Sequence, residues 1–265
     1  MKTEKATAVR DVMSTDVLTV DPGDSIREAA LRMSGRNVGA AILRRDPGIS
    51  GSRPGIVTER DVLRLVGAGQ DPSHQRVADW FTPDAFTAPP NSSLRQAAKV
   101  MSSGGFRHLV VFDGRETLGV VSVRDLVRSW VKERNLPGLD APIEEAMRTD
   151  VLAVGPQDTL REAALRMSER NLDAAMVEPD EARRLPGVIS ARELLRSVAA
   201  GQDPDAERVA DHRAPAMTFS APSWSLSQAA EAMTKGGFQH ILVVDVGGIR
   251  GTISMRDLVL DLTNR

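Results

Sequence analysis

Internal duplication constrains this chain's fold more than any other feature. The string REAALRMS occurs at residues 27–34 and again at 161–168, a shift of 134. AGQDP occurs at 68–72 and 200–204, and RVAD at 76–79 and 208–211, both shifted by 132. GGFRHLVV from 104 answers GGFQHILVV from 236 at the same shift of 132. Chance does not produce such a series, so the second half of the chain is a copy of the first, with a small length change in the first unit.

Each half is itself a pair, visible in pattern more than in identity. Four capping boxes, Ser or Thr with Glu or Gln three residues later, stand at Ser25/Glu28, Ser93/Gln96, Thr159/Glu162 and Ser225/Gln228. After each box the apolar residues fall on one helical face, as in Ile26, Ala29, Ala30 and Met33. The paired alanines predict a helix that lies close to whatever it covers. A short apolar run follows (AAIL, HLVV, AAMV, HILVV), too short for a helix and suited to a buried strand. A second strand then opens with glycine (GIVT, GVVS, GVIS, GTIS) and leads at once into a second helix, with Val62, Leu63 and Val66 facing inward. A short strand such as DVLTV precedes the first helix.

The spacing therefore predicts an α+β chain of four βαββα repeats, at 1–75, 76–135, 136–206 and 207–265. One unit of this size is marginal alone, because a three-stranded sheet with two short helices leaves an apolar face bare. Repeats should pair through that face into two modules, about 9–131 and 143–265, with KERNLPGLDAP at 132–142 as the linker. The modules should pack into a flat assembly of four units, within one chain or between two, with lead-in residues such as Val12, Trp80 and Ala146 contributing to those contacts. The sequence leaves both monomer and homodimer open.

The order strand–helix–strand–strand–helix, the approaches FRHLVVFD and FQHILVVD, and the closing Gly–apolar–apolar–Ser/Thr–x–x–Asp resemble the CBS domain, whose tandem pairs are called Bateman modules. The resemblance covers nearly the whole chain, four times, with no attached effector domain recognisable. It implies two pseudo-two-fold modules that bind adenine-containing ligands (AMP, ADP, ATP, S-adenosylmethionine or NADH) in clefts between paired repeats and regulate a separate partner protein.

The chemistry rests on Thr58/Asp61, Ser122/Asp125, Ser190/Glu193 and Ser254/Asp257, each placed where a strand meets a helix. As a helix cap alone, such a pair stabilises a helix start by roughly 0.5–2 kcal/mol. As a site, the same geometry offers unpaired N–H groups and the positive end of a helix dipole to a phosphate. The hydroxyl adds a donor, and an ionised acid accepts from both hydroxyls of a ribose. Arg60, Arg124, Arg192 and Arg256 sit between hydroxyl and acid, where a guanidinium suits a phosphate chain. With 29 Arg against 5 Lys, a solvent-facing arginine at any of these positions is the competing reading. The third repeat departs most: Glu193 replaces Asp, and Ala153 stands where Thr19 and Thr87 precede it. The second and fourth repeats are the most complete. The first carries the longest turn, RRDPGISGSRP at 44–54, which could cover its cleft.

His108 and His240 open apolar strands without a second ligand at metal spacing, so edge packing or a contact to a bound base is expected, not catalysis or metal binding. There is no cysteine, which excludes disulfides and thiolate chemistry. A net charge of −2 and few aromatics argue against nucleic acid, and no apolar stretch approaches a membrane span. The start MKTEKATAVRDVM has charges where a secretion signal needs an apolar run, so a cytoplasmic location is expected. No nucleophile, acid–base pair or metal set converges, so a binding protein is expected rather than an enzyme. A scaffold with degenerate, empty clefts is the alternative to a nucleotide sensor.

Overall fold

The structure, a computed structural model, describes residues 7–44, 53–133, 138–181, 184–214 and 219–264. Most of the long turn at 44–54 and part of the linker at 132–142 lie outside those residues. The first repeat comprises a lead-in helix α1 (Val9–Val12), β1 (Thr19–Val20), α2 (Ile26–Gly35), β2 (Ala40–Leu43), β3 (Ile56–Thr58) and α3 (Glu59–Gly67). The second runs α4 (Val77–Trp80), β4 (Thr87–Ala88), α5 (Leu94–Gly104), β5 (His108–Phe112), β6 (Thr117–Ser122) and α6 (Val123–Glu133). The third opens with a 3-10 turn at Ile143–Glu145 and continues β7 (Ala153–Val154), α7 (Leu160–Glu169), β8 (Ala174–Val177), β9 (Gly187–Ser190) and α8 (Ala191–Ala199). The fourth has α9 (Val209–His212), β10 (Phe219–Ser220), α10 (Leu226–Gly236), β11 (His240–Asp245), β12 (Gly248–Ser254) and α11 (Met255–Asn264).

Each repeat forms its own three-stranded sheet, the first two strands parallel and the last two antiparallel. Parallel pairing needs a crossover, and the first helix of each repeat supplies it. The capping boxes form as expected: Ser25 N–H donates to Glu28 Oε2 at 2.7 Å while Glu28 N–H donates to Ser25 Oγ at 3.2 Å. The other three close the same way.

Strand alternation decides which surfaces meet. In β2, Ala41 and Leu43 enter a core shared by the first and third repeats, while Ala40 and Ile42 face the other way. In β5, Leu109 and Val111 join a core shared by the second and fourth repeats, while Val110 meets Ala40, Ile42, Ile56 and Ala85. The sheets of the first module thus pack face to face, burying the surface each would otherwise leave bare. Helices join the modules: α2 lies on α8 and α3 on α7, α5 on α11 and α6 on α10. The paired alanines Ala29/Ala30 and Ala163/Ala164 are fully buried there. A Cβ at Gly67 would stand 3.0 Å from the Ala164 carbonyl, which measures how closely α3 and α7 approach.

The lead-in segments make contacts of two kinds. Val12, Trp80 and Ala146 belong to stretches that cross to the partner repeat inside their own module. Ser14 exchanges backbone hydrogen bonds with Val120 in the second repeat, and Thr82 with Ile56 in the first. Arg148 does the same with Thr252 in the fourth. Backbone pairing to the partner's last strand holds each lead-in, and Val12, Trp80 and Ala146 pack against the cores shared between the modules, as expected. Among the described residues, no helix is long and apolar enough to cross a membrane.

Candidate functional site

The four hydroxyl–acid motifs sit at strand-to-helix junctions as expected, and three share one geometry. Thr58 donates its N–H and its hydroxyl to Asp61 Oδ2, both at 2.8 Å. Ser122 gives Asp125 the same pair at 2.8 and 2.6 Å, and Ser254 gives Asp257 the same at 2.8 and 2.6 Å. One carboxylate oxygen of each is therefore spent on the cap, and the second oxygen of Asp61 lies 3.5 Å from Arg64. Ser190 donates its hydroxyl to Glu193 Oε2, and Arg196 lies 3.3 Å from Oε1. There Arg192 N–H caps onto Ser190 Oγ at 3.3 Å. Burial pushes the pKa of Asp61, Asp257 and Glu193 up, against the hydrogen bonds from their own motifs. Burial thus disfavours their charged forms, a cost that a hydrogen-bond donor beside them would offset.

Each motif lines a cavity completed by the partner repeat. The first-repeat cleft, about 420 Å³, takes Thr58, Arg60, Asp61 and Arg64 from its own repeat and Phe86, Phe106 and Arg107 from the second. Phe86 and Phe106 stack with ring centroids 4.1 Å apart. The Phe106 ring occupies the place a Cβ on Gly104 would take, at 1.8 Å, which is why the approach reads Gly–Gly–Phe. The second-repeat cleft, about 190 Å³, joins Ser122, Arg124 and Asp125 to Asn37, Val38 and Gly39 of the first repeat. The third, about 200 Å³, joins Ser190 and Glu193 to Phe238 and Gln239, and the fourth, about 60 Å³, joins Ser254, Arg256 and Asp257 to Asn171 and Asp173. Motif completeness placed the second and fourth clefts first. By size the first cleft leads and the fourth is the tightest, while the second carries the most arginines, Arg107, Arg124, Arg128 and Arg192.

The inner ends of the clefts meet at a buried charged junction where all four repeats contribute. Arg60 grips Asp173 of the third repeat with two hydrogen bonds, at 2.8 and 2.7 Å. Arg192 returns the link to the first repeat, with Nε 3.0 Å and Nη2 2.9 Å from Glu59 Oε1. Arg107 from the second repeat lies 3.4 Å from Glu59 and 3.8 Å from Asp173, and Arg256 from the fourth lies 3.9 Å from Asp173. Burial alone would raise the pKa of Glu59 and Asp173, but the surrounding guanidiniums hold both below the usual carboxylate range. Burial and the neighbouring Arg192 push Arg124 down to about 10, and burial with Arg60 lowers Arg256. The expectation of solvent-facing arginines fails here: the Arg60, Arg192 and Arg256 side chains are turned inward, at 24, 13 and 28% exposure.

His108 borders both clefts of the first module and His240 both clefts of the second. Burial, with the charge of Arg107, pushes His108 down to about 3, and burial pushes His240 down to about 4. Both rings are neutral near pH 7 and can accept as well as donate a hydrogen bond. Glu59, Arg107 and Asp173 escaped the sequence reading. Glu59 looks like an ordinary first-turn acid. The signal for the other two lies in aligning the four approaches, where Gly39, Arg107, Asp173 and Gln239 share one position just before the central strand.

Comparison with known proteins follows the same division. The CBS domain model matches residues 9–68, 77–132, 143–200 and 217–263. The MJ1225 protein of Methanocaldococcus jannaschii is 28% identical over 200 residues, covering 72% of this chain and 70% of that one. Its crystal structure, described with a proposed archaeal kinship to γ-AMPK, superposes with a TM-score of 0.79 at 16% identity, covering 96% of this chain and 99% of that one. A conserved Pyrococcus horikoshii protein superposes at 0.63 with 20% identity, covering 97% of this chain and 100% of that one. The CBS domain-containing protein YhcV of Bacillus subtilis is 33% identical over 120 residues, 45% of this chain and 82% of that one.

Proposed function

This chain belongs to the CBS-domain family, and on that premise we propose that it is a regulatory sensor that binds adenine nucleotides in its inter-repeat clefts and transmits their presence to a separate partner protein. The observation that carries the reading is the first-repeat cleft. There a ribose-compatible acid, Asp61, and the N-terminus of α3 face Arg60, Arg64 and Arg107 in one cavity. Arg107 Nη2 is buried with only a 3.4 Å ion-pair contact to Glu59 and no hydrogen bond, a donor a phosphate oxygen could engage. Phe86 and Phe106 offer an apolar wall for a purine. The ligand set is AMP, ADP or ATP, with S-adenosylmethionine and NADH as further candidates, and no resident cofactor is needed.

The reading also holds that the protein binds its ligand without converting it. The reading assigns each motif hydroxyl, which donates to its own acid, to the helix cap and to ligand contact rather than to nucleophilic attack. The reciprocal Arg60–Asp173 and Arg192–Glu59 contacts give cleft occupancy a route between modules, which suits signalling to a partner. A cytoplasmic setting and a homodimer remain part of the proposal, the latter tested by light scattering. A thermal-shift screen with AMP, ADP, ATP, NADH and S-adenosylmethionine tests the sensor reading. A ligand at 100 times its dissociation constant stabilises by about 2.7 kcal/mol, roughly 5–10 °C for a chain of this size. No shift with any of the five would favour a scaffold with empty clefts. Turnover of ATP with Mg²⁺ above a Thr58→Ala, Ser122→Ala, Ser254→Ala control would overturn the non-catalytic reading.

A further inference from the structure

One position sets the first and fourth clefts apart by charge. The residue just before the partner repeat's central strand is Arg107 in the first cleft and Asp173 in the fourth, with Gly39 and Gln239 at the same place in the second and third, and Arg107 reaches into the second as well. The first and fourth clefts are therefore opposites, and they adjoin across the module boundary with Asn171 lining both. In the first cleft Arg60, Arg64 and Arg107 face a single acid, Asp61. In the fourth, Arg148 and Arg256 face three acids, Asp150, Asp173 and Asp257. The Asp173 side chain is 8% exposed and held by Arg60 at 2.7 Å, so it cannot swing away from an incoming anion without breaking that pair. It also lies 3.9 Å from Arg256, the guanidinium of the fourth motif, and so stands as a fixed anion beside the group a phosphate would seek.

Resting on the nucleotide-sensor reading, we infer that the fourth-repeat cleft is specified for an adenosyl ligand without phosphates, that Asp173 is the residue setting this, and that the adjoining first-repeat cleft is the phosphate-accepting site. Ligands of the first class are neutral or cationic, such as adenosine or S-adenosylmethionine. Asp257 is free to hold their ribose in either case, because only its Oδ2 is spent on Ser254. The arrangement lets one chain compare a phosphorylated with an unphosphorylated adenosyl pool, since Arg60 in one cleft is bound to Asp173 in the other.

Calorimetric titration of adenosine and AMP into the full-length wild-type protein and its Asp61→Ala, Asp257→Ala and Asp173→Asn variants tests this. Asp61→Ala should remove an AMP site and spare an adenosine site, while Asp257→Ala should remove an adenosine site and spare every AMP site. Asp173→Asn should tighten AMP at the fourth cleft by about tenfold or more, the effect of one charge contact worth about 1.4 kcal/mol. Adenosine should bind that variant as it binds wild type, which also shows that the cleft is still folded. As a measurement free of mutation, S-adenosylmethionine bound to wild type should be displaced from this cleft by adenosine and not by AMP. Loss of an AMP site in Asp257→Ala, or unchanged AMP affinity in Asp173→Asn, overturns the inference while leaving the sensor reading in place. Failure of wild type to bind either adenosine or AMP overturns both.

Discussion

Replacing Asp61 by asparagine should separate its structural role from its binding role. Asp61 is 3% exposed and accepts two hydrogen bonds from Thr58 through a single oxygen, Oδ2. Truncation to alanine removes the cap and leaves the partly buried Thr58 N–H without its acceptor, costing roughly 0.5–2 kcal/mol. Asparagine keeps an oxygen in the same place and can accept both hydrogen bonds. It also removes a charge that burial disfavours, since the folded pKa of Asp61 lies above its ordinary 3.8. The sign follows from linkage: a carboxyl with a raised folded pKa favours folding when protonated, and that contribution is lost as pH rises through the folded value. Wild type should therefore lose stability relative to Asp61→Asn between pH 4 and 7, and the ligand-free variant should be at least as stable at pH 7. AMP affinity should nonetheless fall about ten- to hundredfold, because charged hydrogen bonds to ribose are worth about 1.5–3 kcal/mol. Urea denaturation at both pH values, with and without AMP, measures all of this. If ligand-free Asp61→Asn is destabilised at pH 7 as much as Asp61→Ala, the charge itself holds the fold and the reasoning is refuted.

Three further outcomes follow from the same structure. Leu63, 1% exposed in the core shared by the first and third repeats, should cost about 2–5 kcal/mol when cut to alanine, read by chemical denaturation. A loss under about 1 kcal/mol would contradict that packing. Gly67→Val should force apart α3 and α7, whose backbones leave 3.0 Å for a Cβ, and lower the melting temperature, whereas the exposed Gly23→Val should not. His108 and His240 have folded pKa values near 3 and 4, below the unfolded 6.5, so their protonation opposes folding. Stability should fall as pH drops from about 6.5 toward 5, by up to about 1.4 kcal/mol per pH unit for each ring, and His108→Gln with His240→Gln should flatten that slope. An unchanged slope would show that neither ring is held neutral.

The fold was legible because duplication, capping boxes and alternating apolar runs all encode local geometry. Ala29/Ala30 and Ala163/Ala164 announced close helix packing, and the structure places them where the modules join. The motifs were legible for the same reason, since a Ser/Thr and an acid three residues apart are fixed by one helix turn. What escaped was the non-local part. Glu59 and Arg192 are 133 residues apart in sequence, and Arg60 and Asp173 are 113 apart, so only the closed arrangement of four repeats brings them together. The ranking of clefts weighed each motif by its own residues, and part of each lining comes from elsewhere: Phe106 and Arg107 of the partner's approach line the first cleft, and Asp173 lines the fourth.

The central claim, that the hydroxyl–acid motif in a cleft shared by two repeats holds an adenosyl ligand, is tested most directly by a crystal structure of the protein grown with saturating AMP. The account predicts density in the first-repeat cleft, with ribose hydroxyls on Asp61 and the phosphate among Arg60, Arg64 and Arg107. Empty clefts at saturating AMP, or AMP bound away from the four motifs, would contradict it.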